Sequence, residues 1–198
     1  MGMVDVHELV TAARTYRRFD ERAEVPGDLL RRWVDCARLA PCAQNRQALR
    51  YAIVDGPRTC AAVFANLKWA AALPDWDGPE PGERPRAYAV ICAEGVGPLT
   101  PMDVGIAAQT IKLAAQADGF GSCMFKSYAR DGIARAIGLD ASRYDVQLVM
   151  AFGRPSERVV VEPMGEDASA FDYWRDDAGV HHVPKRSLAD VLIETPAD

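Results

Sequence analysis

Arg14-Thr15-Tyr16-Arg17-Arg18-Phe19 and, one helix later, Ala40-Pro41-Cys42-Ala43-Gln44-Asn45-Arg46-Gln47 are the two runs on which the reading of this chain turns. The first places three arginines and a threonine hydroxyl within five residues of a chain whose net charge is −5. Arginine forks beside a hydroxyl suit a phosphate, because they offer bidentate, charge-assisted donors of fixed geometry. The second run closes a helix on proline and gathers a thiol and several side-chain amides into one loop. Asn and Gln suit the edge of a flat heterocycle, since each amide presents a donor and an acceptor side by side. Together the runs predict a nucleotide-like cofactor. Either one alone reads better as a solvated basic face or a polar loop.

Outward from these runs the elements alternate without repeats or low-complexity stretches. Asp5 predicts the cap of a helix running through Ala13, and Asp28 the cap of a second, in which Leu30, Trp33, Val34 and Ala37 form one buried stripe. Pro41 stops that helix. Leu49 to Val54 reads as a strand and Pro57 to Ala72 as a third helix; Pro74 to Pro85 is a loop. Ala87 to Cys92 reads as a buried strand. Thr100-Pro101-x-Asp103 predicts a helix start with a hydroxyl cap, and the helix it opens, Asp103 to Ala115, is apolar nearly all round. Gly119 ends it. A short strand over Cys123 to Phe125, a helix over Asp131 to Ile137 and a strand over Val146 to Phe152 follow. Ser187-x-x-Asp190 begins a final helix after an irregular tail. Strands so few and so unevenly spaced exclude a doubly wound sheet, so the predicted class is α+β with a small mixed sheet.

At 198 residues, the chain has the length of one domain with a real core. Its 49% hydrophobic and 26% charged residues fit a soluble globular protein. The acidic balance argues against a general nucleic-acid binder, and no apolar run approaches a membrane span. Met1 to Glu8 carries early acids and no apolar segment, so no secretory signal is expected. The cysteines at 36, 42, 60, 92 and 123 are odd in number and lack Cys-x-x-Cys spacing. They read as reduced thiols of a cytoplasmic protein.

Three other features invite chemistry. Gly119-x-Gly121 is not a dinucleotide fingerprint: it follows a helix, and Met124 stands where the third glycine belongs. A helix end and a tight turn account for it better. His181-His182 is a poor metal pair, since neighbours on an extended segment face opposite ways, and no metal is expected. Cys42 lacks a nearby base and reads as a lining residue. The basic pair Lys185-Arg186 precedes a helix, where cations are disfavoured. A bound phosphate would compensate; the bland alternative is a solvated flank.

The two opening runs resemble the nitroreductase family of FMN-dependent oxidoreductases. That family opens with a basic-basic-Ser/Thr-x-Arg/Lys-x-Phe run and continues with an Ala-Pro-Ser-x-x-Asn-x-Gln loop. The matching pieces are Arg14, Thr15, Arg17 and Phe19, then Ala40, Pro41, Asn45 and Gln47. Further matches run in order along the chain: Leu67 to Ala70, Pro85 to Tyr88, Asp103 to Ala115 with Gly119 to Cys123, Ala151 to Pro155, and Val183 to Arg186.

The resemblance implies a single FMN-binding domain over residues 1–198. Its small, mainly antiparallel sheet would be wrapped by helices, with an extension over 154–198 embracing a partner subunit. It implies Arg14, Thr15, Lys185 and Arg186 around the FMN phosphate and Arg17 and Lys68 at the pyrimidine edge. Cys123, Met124 and Phe125 would run beside the N5 edge, with the small-residue turn before them letting backbone approach the ring. Pro41, Cys42, Ala43, Asn45 and Gln47 would line the ring from the other subunit of a homodimer. A central helix apolar on every side, and a tail too poor in core pattern to order alone, favour the same dimer. The activity implied is electron transfer from NADH or NADPH to a nitroaromatic, quinone or similar acceptor by a ping-pong mechanism. The flavin N5 carries the chemistry, with no catalytic residue from the chain. Dehalogenation, ene reduction, flavin destruction and non-catalytic flavin binding are the alternatives on the same fold. The chain departs from the pattern at Ala13, where a basic residue is common, at Cys42 and Ala43, where hydroxyls are usual, and at Ala48-Leu49 in place of Pro-Trp.

Overall fold

The chain was analysed as a computed structural model that describes residues 5–70, 73, 76–165 and 171–195. Its centre is β3 (Ala87–Ala93), every residue of which is buried. β3 pairs antiparallel with β2 (Leu49–Val54) on one side and with β5 (Asp145–Pro155) on the other. The long β5 also pairs antiparallel with β4 (Gly121–Phe125) and with β1 (Phe19–Asp20), which completes a five-stranded sheet. The α+β class with an antiparallel sheet is thus the observed one.

Helices cover both faces of the sheet. On one lie α2 (Gly27–Leu39) and α4 (Thr100–Ala117), whose Leu30, Trp33, Ala107, Ala108 and Ile111 pack against Ala87, Ala89, Ile91, Met150 and Phe152. Trp33 is the hub, with its ring centroid 5.4 Å from those of both Phe120 and Phe152. On the other face lie α3 (Pro57–Phe64) and α5 (Arg130–Ile137), over Tyr88, Val90, Val149 and Phe125. The first helix, α1 (Val6–Ala12), is capped by Asp5, which accepts from the His7 and Glu8 N–H groups at 2.8 and 3.2 Å.

Several boundaries differ from the sequence reading, each for a local reason. Pro26 rather than Asp28 caps α2, and Asp28 instead sits in the first turn, where its charge suits the helix dipole. Pro41 does end the helix, by holding Ala40 extended at φ −66°, ψ 151°. Leu99 rather than Thr100 caps α4, while Thr100 Oγ1 accepts from the Gly97 N–H at 2.9 Å. α3 stops at Phe64, short of the expected Ala72, because Leu67 bridges Tyr128 and the Lys68 N–H bonds to the Ser127 carbonyl at 3.0 Å. Residues 71, 72, 74 and 75, which carry the end of that expected helix and the start of the proline-rich loop, lie outside the described residues.

The largest correction concerns the tail. It is not irregular: β6 (Val159–Pro163) pairs parallel with β8 (His181–Lys185), and β7 (Trp174–Arg175) pairs antiparallel with β8. The final helix, α6 (Leu188–Val191), carries the capping box read from Ser187 and Asp190. β6 and β8 escape a core-pattern search because none of their residues belongs to either buried cluster of the main core.

Gly121 is also needed for a different reason than close ligand approach. A Cβ there would stand 2.6 Å from the Tyr16 ring and 2.8 Å from Pro155 Cγ, so the glycine lets the basic run lie against β4. Gly121→Ala should therefore destabilise the fold by about 1–3 kcal/mol, as overpacking of a filled site does. Urea unfolding followed by tryptophan fluorescence measures this; an unchanged midpoint would show that Tyr16 yields freely.

Candidate functional site

β4 is the wall on which the site is built. At one end the chain from Thr15 to Tyr16 runs beside it, with the Tyr16 N–H donating to the Ser122 carbonyl at 3.0 Å. At its other end the Lys68 N–H holds Ser127. The five residues of β4 itself span about 17 Å of extended chain. Along this wall open two adjoining cavities that share Arg17 and Tyr173.

The first, of about 290 Å³, is lined by Arg14, Thr15, Arg17, Lys112 and Lys185, together with Ala13, Tyr173 and His181. Among the described residues, no carboxylate lines it. The second, of about 160 Å³, is lined by Arg17, Lys68, Cys123, Met124 and Phe125. The structure thus gathers eight of the residues expected from the sequence around one elongated groove, cationic at one end and walled by a strand at the other. Cys123 is buried, which pushes its thiol up to about 12 against the opposing pull of Arg17 and Lys112. It offers backbone and volume, not a nucleophile.

Arg17 is the best-held of the cations. Its side chain is buried and meets the His181 Nε2 at 3.1 Å, with the guanidinium 4.4 Å from the Tyr173 ring centroid. Glu157 fixes the backbone beneath it: one carboxylate oxygen accepts from the Arg17 and Arg18 N–H groups, and the other from Arg175 at 3.0 Å. The Glu157 side chain is buried and that of Arg175 largely covered, so the tail is stitched to the basic run by a pair partly shielded from salt. His181 and His182 do face opposite ways. His182 stacks on Trp174, with ring centroids 4.0 Å apart, and contacts Glu162 and Asp176. Among the described residues, no cluster has the make-up of a metal site.

The remaining predicted residues lie elsewhere. The loop after α2 borders a separate cavity of about 750 Å³, to which Ala43 and Gln47 contribute with Arg50, Glu94 and Asp103. Asp103, buried on α4, accepts from the Ala43 N–H at 2.8 Å and so fixes the loop. Cys42 Sγ accepts from the Gln47 N–H at 3.4 Å. Gln44, Asn45 and Gln47 all hold positive φ, near 50°. Such backbone costs of order 1 kcal/mol or more per residue and collects at ligand sites. Pro41 and Asn45 are exposed, and Arg186 is exposed outside the lining of both groove cavities.

Lys112, Tyr173, His181 and Glu157 are the site residues that the sequence reading missed. Lys112 had a signal: it is the one basic residue in a helix of 18 otherwise apolar, small or uncharged residues apart from Asp103. Tyr173 and Glu157 had none, since their relevance depends on how the tail folds back.

The family model described as the Nitroreductase family matches residues 10–154. Among solved structures, the FMN complex of a proposed nitroreductase from Desulfovibrio desulfuricans shares 19% identity over 100% of both chains, with a TM-score of 0.67. An FMN-dependent nitroreductase from Clostridium difficile R20291 shares 20% identity over 76% of this chain and 87% of its own, with a TM-score of 0.61. A proposed NAD(P)H:FMN oxidoreductase from Staphylococcus epidermidis shares 17% identity over 79% and 90%, with a TM-score of 0.65. At these identities the likeness is one of fold. No curated protein matches the chain.

Burial, then the adjacent Arg17 charge, lowers the His181 pKa to about 4. The unfolded imidazole protonates near 6.5, so His181 contributes stability that is fully present above that pH. It is lost progressively as pH falls from 6.5 towards 4, when a second cation forms beside Arg17. Tyrosine and tryptophan fluorescence of the tail should show docking weaken across that window. His181→Gln should flatten the profile; an unaltered profile would show that another group controls it.

Proposed function

Since the chain belongs to the nitroreductase family, we propose that it is an FMN-dependent oxidoreductase that takes electrons from NADH or NADPH. It would deliver them to a nitroaromatic, quinone or similar small acceptor in alternating half-reactions. The observation that carries this reading is the two-part groove along β4, with its carboxylate-free cationic end beside a strand edge of suitable length. A phosphomonoester fits the first part and a flat ring the second. The orphaned Arg14 Nε, buried without a hydrogen-bond partner, supports an anionic occupant.

FMN supplies reversible hydride and electron transfer at its N5 when bound. The chain's own task is positional. Arg14, Thr15, Lys112 and Lys185 hold the phosphate end, with Arg186 a candidate from the adjoining segment. Arg17 and Lys68 present positive charge where the pyrimidine edge would lie and so favour a reduced, anionic ring. Cys123, Met124 and Phe125 offer backbone along the ring, and no side chain is required as general acid or base.

The ring-lining loop would come from a second subunit. In the single chain it lies away from the groove, although Pro41, Cys42, Ala43, Asn45 and Gln47 have the chemistry of a ring-lining set. Met102 on α4 is 51% exposed and neighbouring Leu99 46%, while Leu188, Val191, Leu192 and Ile193 at the chain's far end are also exposed. Apolar surface of this kind favours a twofold homodimer with two flavins at its interface. Residues 1–198 would act as one domain, in the cytoplasm; among the described residues no helix is long and apolar enough to cross a membrane.

The purified protein should carry FMN and not FAD, because among the described residues the groove offers cations enough for one phosphate. Mass spectrometry of the released cofactor tests this, and FAD would overturn it. Arg17→Ala should weaken FMN binding about ten- to a hundredfold, the worth of one charge-assisted contact. Unchanged affinity by fluorescence titration would remove Arg17 from the site. Light scattering of dilute holoprotein should give a dimer, and a monomer that keeps FMN and turnover would exclude the shared interface.

A further inference from the structure

Lys112 stands apart from the rest of the cationic cluster. It is half-buried on α4, and among the described residues no carboxylate or carbonyl lies within bonding distance of its ammonium. The charged groups that face it are Arg14 and Arg17 of the basic run and Lys185 of β8, with the Cys123 thiol of β4; His181 lines the same cavity. An ammonium among three other cations, with no counter-charge, is held at a cost that a structural role does not explain. Gln109, one turn earlier on α4, lines the same cavity and offers an uncharged amide beside the ammonium. Ala13, in the position where the basic run lacks a cation, is a wall of this same cavity.

We propose that Lys112 is a principal phosphate ligand of this chain, supplying from the central helix the charge that the basic run lacks at Ala13. This rests on the FMN reading above and adds to it a specificity residue: Lys112 makes the groove choose the phosphorylated flavin over riboflavin. Burial, reinforced by Arg14, Arg17 and Lys185, lowers the Lys112 pKa to about 8. A phosphate dianion reverses that electrostatic balance and restores the ordinary ammonium. Binding near pH 8 then takes up about half a proton from solvent, which a permanently charged side chain would not do.

The test compares wild type, Lys112→Met and Lys112→Arg with FMN, riboflavin and inorganic phosphate as probes. Lys112→Met removes an unpaired buried charge, so the apoprotein should fold and melt at or above the wild-type temperature. Its FMN affinity should fall about ten- to a hundredfold while its riboflavin affinity holds. Lys112→Arg should retain most of the FMN affinity. Calorimetry at pH 8 in two buffers of different ionisation enthalpy should show proton uptake on FMN binding by wild type and none by either variant. An FMN-to-riboflavin preference that survives in Lys112→Met overturns the proposal. Should wild type bind neither flavin, the FMN reading fails separately and inorganic phosphate decides. Weaker phosphate binding by Lys112→Met then supports the anion site; equal binding, or none by wild type, overturns it.

Discussion

The packing of α4 against β3 is the constraint on which the rest of the molecule depends. Ala107, Ala108 and Ala115 are buried where Ala87 and Ala89 face the same core, with Ile111 filling the space between. Small side chains on both partners allow close approach, and the resulting cluster is dense enough that lost volume is not easily recovered. Asp118 fixes the far end of the helix. It accepts from Trp33 Nε1 at 2.7 Å and from Arg32 at 2.6 Å. Burial alone would raise its carboxyl, but these two donors together hold it below the usual range. An acid at a helix C-terminus opposes the dipole, and here α2 supplies the compensation. The helix is therefore fixed in register as well as in place.

That fixed register distributes the helix's two charges. Lys112 follows Asp103 by nine residues, two and a half turns, so they project from opposite sides of α4, roughly 13–14 Å apart along its axis. Asp103 holds the strained loop at Ala43, and Lys112 faces the basic run. The two halves of the proposed flavin site are consequently separated by the helix that positions both. In the proposed dimer, a twofold partner would resolve the separation without moving either half. Within one chain, resolving it would mean lifting α4 from the core cluster it shares with β3.

The elements legible in the sequence were those whose signal is local. Asp5, Pro41 and the Ser187–Asp190 pair act within one turn of helix, and the strand at Leu49–Val54 is bounded as its residues suggest. The basic run was legible because three arginines in an acidic chain need an explanation. α3 misled because no proline or glycine breaks the sequence between Phe64 and Ala72, yet tertiary contacts of Leu67 with Tyr128 and of Trp69 with Phe125 draw those residues out of the helix. The tail strands were invisible for a related reason. β6 and β8 pair in parallel across a long excursion, and what orders them is Glu157 beneath the basic run and His181 on Arg17, neither of which is a periodic pattern. The small-residue turn at Gly121 was legible, but its packing against Tyr16 and Pro155 was not, because both neighbours are distant in sequence.

The charge distribution makes ligand occupancy and stability one quantity. The chain is acidic overall, yet Arg14, Arg17, Lys112 and Lys185 converge on a cavity that no carboxylate of the described residues lines. Glu157, the nearest compensating acid, is already engaged by two backbone N–H groups and by Arg175. Without an anion the groove therefore carries mutual repulsion at one end and, at the other side of α4, a loop with three residues in left-handed backbone. Both costs are relieved by the same event if an anionic ring compound binds between the groove of one subunit and the loop of another. Anything that binds the folded form alone adds RT ln(1 + [L]/Kd) to its stability. Here that gain would be shared between cofactor and partner, because each completes the surface the other needs.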